Sequence, residues 1–354
     1  MIGRELFRLN GIPAYQNKMF NSPDAARNCP SGDVVLVQDM KSGLVFNAAY
    51  DRNLLNYDES YQNEQGYSLI FHAHMNEVLD KIDRHFSGKQ ILEVGCGKGS
   101  FLNLIRQRGH DAKGIDPAYE GDDPYIYKQH FNAILNLKAD VIVLRHVLEH
   151  IPEPLEFLRT LASANGGRGA VYIEVPCLDW IIRQRAWFDV FYEHVNYFRL
   201  SDFSRMFGVI HEMGHLFDGQ YIYVIAELRT LDPPKLIGSI DEVIFPKDFL
   251  HEVENCLNMM TRASRKIVWG AAAKGVMFSH HLTSRGARLD FAIDINPAKQ
   301  GKFLGGSSLP VLSPASGLAR LSVGDDVFVM NSNYLDEITS LGGNHLNYIS
   351  ADRR

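Results

Sequence analysis

Between residues 72 and 85 the apolar side chains return at Met75, Val78, Leu79 and Ile82, the three-and-four spacing of a helix with one buried stripe. Short apolar runs and helical stretches then alternate. Residues 90–94 read as a strand, 99–108 as a helix and 111–115 as a second strand. The apolar run 140–144, a helical stretch at 153–164 and a strand at 170–175 continue the rhythm, and 208–213 with 221–227 read as a further strand pair. This alternation predicts an α/β fold, a parallel sheet with helices on both faces.

The flanks are patterned differently. Residues 1–70 are rich in Asn, Asp, Gly and Tyr, with apolar pieces such as VVLVQ and GLVFNAAY, and predict a small β-containing domain. The segment LRTLDPPKLIGS, 228–239, carries two adjacent prolines and resembles a linker, closing a central domain at 71–230. A helical stretch at 249–265 follows, and KIVWGAAAKG, 266–275, repeats the strand–glycine-turn–helix pattern. With strand candidates at 289–296, 309–313 and 325–331, residues 231–354 predict a second, smaller α/β domain.

Composition narrows the classes. With 45% hydrophobic and 22% charged residues, the 354-residue chain can bury sizeable cores. A formal charge of −6 offers no basic footprint for nucleic acid. No apolar run approaches the roughly 20 residues that span a bilayer, and MIGRELFRLNG lacks the apolar core of a secretory signal. Cys29, Cys96, Cys177 and Cys256 form no close pair, which suits a reducing cytoplasm better than a disulfide scaffold.

The chemistry concentrates in ILEVGCGKGSFLNLIRQRGHDAKGID, 91–116. A strand ending in Glu93-Val94-Gly95 and turning through Cys96-Gly97-Lys98-Gly99 into a helix presents bare backbone N–H groups to a ligand. Asp116 ends the next strand, 23 positions after Glu93, where a carboxylate can accept from both hydroxyls of a ribose. That spacing fits a dinucleotide or S-adenosylmethionine (SAM), although the GxGxxG pyrophosphate fingerprint is absent. The alternative is a tight structural turn.

EVGCGKGS resembles motif I of class I SAM-dependent methyltransferases, and ADVIVLRHVLEHIPEP, 139–154, resembles their fourth-strand segment. The resemblance implies SAM as cofactor. It places Glu93, Gly95, Cys96, Gly97, Gly99, Asp116 and Pro117 against the cofactor, Arg145 and His146 near its sulfonium, and residues 127–131 towards the adenine. The stretch YDESYQNEQGYS (57–68), then FDVFYEHVNYF (188–198), then WGAAAKG and IDINPAKQGKFLGGSSLPVLSP, is similar in order to three-part sugar C-methyltransferases acting on nucleotide-linked keto-deoxysugars. That family implies a small zinc-binding N-terminal domain, a Rossmann-like SAM domain and a second Rossmann-like domain closing over the substrate.

Two departures stand out. Where the family holds zinc through CxxC pairs, this chain reads QDMKSGLVFN, with Asp39 and Ser42 at the cysteine positions. Residues 1–71 offer only Cys29 as a thiolate, so no structural zinc is expected, and Tyr15, Phe20, Leu44 and Phe46 are expected to hold the domain by packing. Where the family often shows Tyr-His-Glu-His, this chain has Phe191-Tyr192-Glu193-His194. The resemblance makes His194 the base, with Glu193 orienting it or binding a hydroxyl, and Tyr192 or Tyr61 steadying an enolate. The plain readings are a buried structural His194 and a structural Glu149–His150 pair. His280–His281 and His72/His74 lack the i,i+4 spacing of a metal pair, so no metal is expected. Lys274 reads either as a contact to a phosphate or carboxylate, or as a solvated side chain.

The expectation is a SAM-dependent C-methyltransferase of a small polar keto substrate in sugar or natural-product biosynthesis, working in the cytoplasm with neither nucleic acid nor membrane as partner. Two alternatives stand beside it: an O- or N-methyltransferase of a natural-product or envelope intermediate, and a non-catalytic SAM- or nucleotide-binding scaffold. Oligomeric state is not readable.

Overall fold

The computed structural model describes residues 3–56, 61–62, 66–132, 138–260 and 264–352. The chain opens with β1 (Gly3–Pro13), β2 (Ser31–Asp39) and β3 (Val45–Asn47). After the helix Leu69–Phe86 come β4 (Gln90–Val94), β5 (Asp111–Ile115), β6 (Ile126–Tyr127), β7 (Val141–Arg145) and β8 (Ala170–Pro176), with helices Ser100–Gln107 and Pro154–Ala164 between them. Next are β9 (Asn196–Tyr197), β10 (Ile210–Leu216) and β11 (Tyr221–Glu227). The last third holds β12 (Lys266–Trp269), the helix Ala273–Thr283, β13 (Phe291–Ile293), β14 (Val311–Leu312), β15 (Asp326–Val329), the helix Leu335–Gly342 and β16 (Asn347–Ser350).

Among the described residues these strands form three sheets. The central one runs β10-β11-β8-β7-β4-β5-β6. Its strands from β8 to β6 are parallel, as expected, while β11 and β10 are added antiparallel at one edge. The burial patterns explain the split. Strand β7 is apolar and buried for four residues running, as a strand covered on both faces must be, whereas β10 alternates exposed and less exposed positions. The C-terminal sheet, β14-β13-β12-β15-β16, is wholly parallel. The helix expected at 249–265 spans His251–Met259, and 261–263 lie outside the described residues.

The N-terminal sheet is β1-β2-β3-β9 and antiparallel. Its fourth strand comes from FYEHVNYF, which pairs Tyr197 with Val45 and Asn196 with Phe46. The core is Leu9, Ile12, Ala14, Val34, Leu36 and Val45, while Leu44, of the four residues expected there, packs from its margin and Tyr15 is buried. At the cysteine-like positions, Ser42 Oγ donates to Asp39 Oδ2 at 2.9 Å and Gly43 N donates to Asp39 O at 2.8 Å. Hydrogen bonds thus close this turn locally. The segment expected as a linker is pinned to the same unit: Leu236 N donates to Lys41 O at 2.8 Å, and Arg205 Nη1 to Ser42 O at 2.7 Å and Lys235 O at 3.0 Å. Among the described residues no helix is long and apolar enough to cross a membrane.

Candidate active site

A cavity of about 360 Å³ lies at the carboxyl ends of the parallel strands and draws its wall from all three units of the chain. The N-terminal unit contributes Asn17 and Tyr61, and the central one Glu93, Gly95, Cys96, Gly97, Arg145 and His146. The C-terminal unit contributes Gly270, Lys274 and Asn296.

The first glycine turn needs its glycines. Gly95 has φ +80°, and a Cβ there would stand 2.4 Å from Val147 Cγ2. Gly99, also at positive φ, caps the helix Ser100–Gln107 with no side chain over its first N–H groups. The Asp116 carboxylate holds the bend, its Oδ2 accepting from Gly97 N and its Oδ1 from Ala118 N, both at 2.8 Å. Gly99, Asp116 and Pro117, expected against the cofactor, do not line this cavity, and neither do Tyr127 and Phe131. Burial pushes the Cys96 thiol far up, so it stays neutral. An uncapped helix start, bare peptide N–H groups and an adjoining carboxylate together suit an adenosyl methyl donor.

Arg145 and His146 line the cavity, but their charges are occupied. Glu174, fully buried on β8, has His74 Nε2 at 2.8 Å, Arg145 Nε at 3.2 Å and His146 Nε2 at 3.2 Å, and accepts from Tyr172 OH at 2.9 Å. Burial opposes its charge, yet Arg145 and His74 hold its carboxyl well below the usual range. His146, at φ +52°, is opposed by burial too, but Glu149 and Glu174 raise its pKa to about 9. The Arg145 guanidinium lies 4.3 Å from the Phe101 ring centre.

The second feature is the segment 187–198. His194 lines the cavity with its ring 3.9 Å from that of Phe191 and 5.0 Å from that of His150. Burial, with His150 and His146 nearby, holds its pKa well below the ordinary value, so the ring is neutral. His150 Nδ1 lies 2.9 Å from Glu193 O, which fixes that nitrogen as the donor. Ligand-type atoms of Glu149, His150 and His194 fall within 4.8 Å of one another. Both oxygens of Glu149, only 1% exposed, lack a hydrogen-bond partner, and the nearer cation is His146 Nδ1 at 3.5 Å.

Glu193 is fully buried but does not orient His194. Its Oε1 accepts from Gln16 N at 2.9 Å and its Oε2 from Tyr61 OH at 2.7 Å, so it ties the N-terminal unit to the site. Burial raises its pKa. Tyr192 is corrected outright. Its hydroxyl accepts from Asp51 N at 2.7 Å and donates to Asp51 O at 3.2 Å, outside the cavity lining, because the turn at 192–193 carries this side chain to the N-terminal unit. The histidine pair in the C-terminal helix is also remote: His281 packs edge-on against Trp187, and burial lowers its pKa to about 3. The sequence reading missed Asp189, which sits 3.1 Å from Lys274 Nζ, and Asn296. Both lie in stretches that carry the resemblance, FDVFYEHVNYF and IDINPAKQGKF, but neither was singled out within them.

Comparison with known proteins gives two family matches, a methyltransferase domain over residues 67–209 and a C-methyltransferase C-terminal domain over 247–346. The C-methyltransferase NovU of Streptomyces niveus is 25% identical over 305 residues, covering 75% of this chain and 72% of its own length. The ubiquinone biosynthesis O-methyltransferase of Vibrio campbellii is 31% identical over 113 residues, 28% of this chain and 48% of its own. Among solved structures, the S-adenosylmethionine-dependent methyltransferase of Mesorhizobium loti aligns with a TM-score of 0.35 and 13% identity, over 44% of this chain and 99% of its own.

Proposed function

The chain belongs to the SAM-dependent methyltransferases that carry a C-methyltransferase C-terminal domain, and from that premise we propose that it methylates carbon. The acceptor in this reading is a small polar keto compound such as a nucleotide-linked deoxysugar. The observation that carries it is His194, a neutral buried imidazole on the wall of a cavity shared with the glycine turn.

Bound SAM supplies an electrophilic methyl group on its sulfonium. A carbon acceptor must first lose a proton beside its carbonyl. In this reading His194 would take that proton, leaving the carbon ready for the methyl group that bound SAM would supply. The Tyr61 hydroxyl, which donates to Glu193, lines the same cavity, and the His150 ring lies 5.0 Å from that of His194. Asp116, outside the cavity lining, holds the turn through Gly97 N and Ala118 N. The buried walls exclude water, which would otherwise reprotonate the carbanion.

The test is a panel of nucleotide-linked keto-deoxysugars in D2O without SAM. Wild-type protein is expected to exchange the proton beside the carbonyl, and His194→Gln to lose both exchange and turnover by about 10²- to 10⁴-fold. Methylation without exchange, with an O–CH3 product by NMR, would reverse the reading. Phe191, which lines the cavity in place of the family's tyrosine, is the residue that favours that second outcome.

A further inference from the structure

The cavity that the first glycine turn lines is also bordered by a second strand–turn–helix, from β12 through Gly270 into the helix Ala273–Thr283. That helix has 11 residues, and its cap position is Ala272, which provides no side-chain hydrogen bond. Ala272, Ala273, Lys274 and Gly275 all line the cavity, so the positive end of the helix faces it.

Asn296 stands beside this helix start. It is 2% exposed and lines the cavity. Its Oδ1 accepts from Ala298 N at 3.0 Å, which fixes the direction of the amide, and its Nδ2 has no hydrogen-bond partner. A buried donor left unmade costs about 1–3 kcal/mol. Such an arrangement persists where a ligand satisfies it. Lys274 Nζ completes the set, lying 5.3 Å from the ring centres of both Trp180 and Phe188, with Asp189 Oδ2 at 3.1 Å. A helix start, an amide N–H and an ammonium are all donors. Asp294, the second acidic residue of this corner beside Asp189, is already engaged by Ala271 N and Asn296 N, both at 2.8 Å, with Lys299 Nζ at 3.7 Å.

We propose that this corner, formed by the start of the helix Ala273–Thr283 with Asn296 and Lys274, is a subsite for an oxyanion of the methyl acceptor, a phosphoryl or carboxylate group. The anion accepts from Asn296 Nδ2 and the helix N–H groups and shares Lys274 with Asp189. This holds the acceptor in the cavity that the donor turn also lines. The inference rests on the small-molecule methyl-transfer reading of the same cavity, but its test needs no turnover.

Inorganic pyrophosphate and succinate are titrated separately into the full chain, followed by calorimetry and by the fluorescence of Trp180 and Trp269, which flank the site. Saturable binding of pyrophosphate identifies a phosphoryl source, and of succinate a carboxylate source. Asn296→Asp, isosteric and able to keep the Ala298 bond, is expected to weaken the bound anion about tenfold or more while leaving affinity for S-adenosylhomocysteine unchanged. Lys274→Gln is the second variant, should the first not fold, with the same expectation. If neither anion saturates on protein that still binds S-adenosylhomocysteine, or if both variants bind like wild type, the subsite is overturned. The deuterium-exchange result would stand or fall separately.

Discussion

The two glycine turns that line the cavity share one geometry and differ in what they expose. In each, the carboxylate ending the following strand accepts from a turn N–H through Oδ2 and from the N–H two residues further on through Oδ1, all at 2.8 Å: Asp116 with Gly97 and Ala118, Asp294 with Ala271 and Asn296. The first turn reads GCGKG and the second GAAAKG. Each turn carries a lysine on the cavity lining, Lys98 and Lys274, but the second sets alanine methyls beside it where the first has the bare Gly97. Sharing a backbone frame does not mean sharing a ligand. The side chains set on that frame decide what can approach.

The largest effect that would sharpen this contrast is on donor affinity. Asp116→Ala is expected to weaken S-adenosylhomocysteine binding about a hundredfold by calorimetry, since charged hydrogen bonds of roughly 1.5–3 kcal/mol organise the turn. Asp294→Ala should leave that affinity unchanged. Equal losses would break the contrast.

Next come the glycines. A Cβ on Gly275 would stand 1.9 Å from the Gly270 carbonyl oxygen, whereas on Gly270 its nearest neighbour would be Met330 Cβ at 3.4 Å. Gly275→Ala should therefore cost about 2 kcal/mol or more in denaturant unfolding through overpacking. Gly270→Ala, at φ +110°, should cost less, from backbone strain alone.

A third difference is charge, because the donor turn neighbours the Glu174 network. His146 has its folded pKa raised to about 9, so its contribution is complete below the unfolded value near 6.5 and is lost as pH rises through 9. Stability should fall by on the order of 3 kcal/mol between those values, and His146→Gln should flatten that slope in thermal melts. Glu174 works oppositely. Its depressed pKa stabilises above the unfolded carboxylate range, and that contribution is lost only in acid.

The smallest effect concerns Tyr192. Removing its hydroxyl in Tyr192→Phe should cost about 1 kcal/mol from the Asp51 contacts, with turnover intact. A collapse of turnover would return it to the catalytic group.

What was readable beforehand follows the reach of each interaction. Strands Gln90–Val94 and Asp111–Ile115 fall where their apolar runs predicted them, because a buried parallel strand carries its signal locally. The bare turn and Asp116 were legible because glycine spacing reports backbone conformation directly. Strand β9 was not, since two residues inside an aromatic stretch become a strand only by meeting β3 from about 150 positions away. The direction of Tyr192, the Glu193–Tyr61 contact and the unpartnered amide of Asn296 are likewise products of assembly. They depend on which side of a segment meets which neighbour, and residue type does not encode that.

Because β9 completes the small sheet, the stretch bearing His194 belongs structurally to two units at once. Mutational wear in the opening residues would thus reach proton transfer through the backbone, with no change in any group that touches substrate. Selection for turnover would then preserve the outlying sheet by proxy.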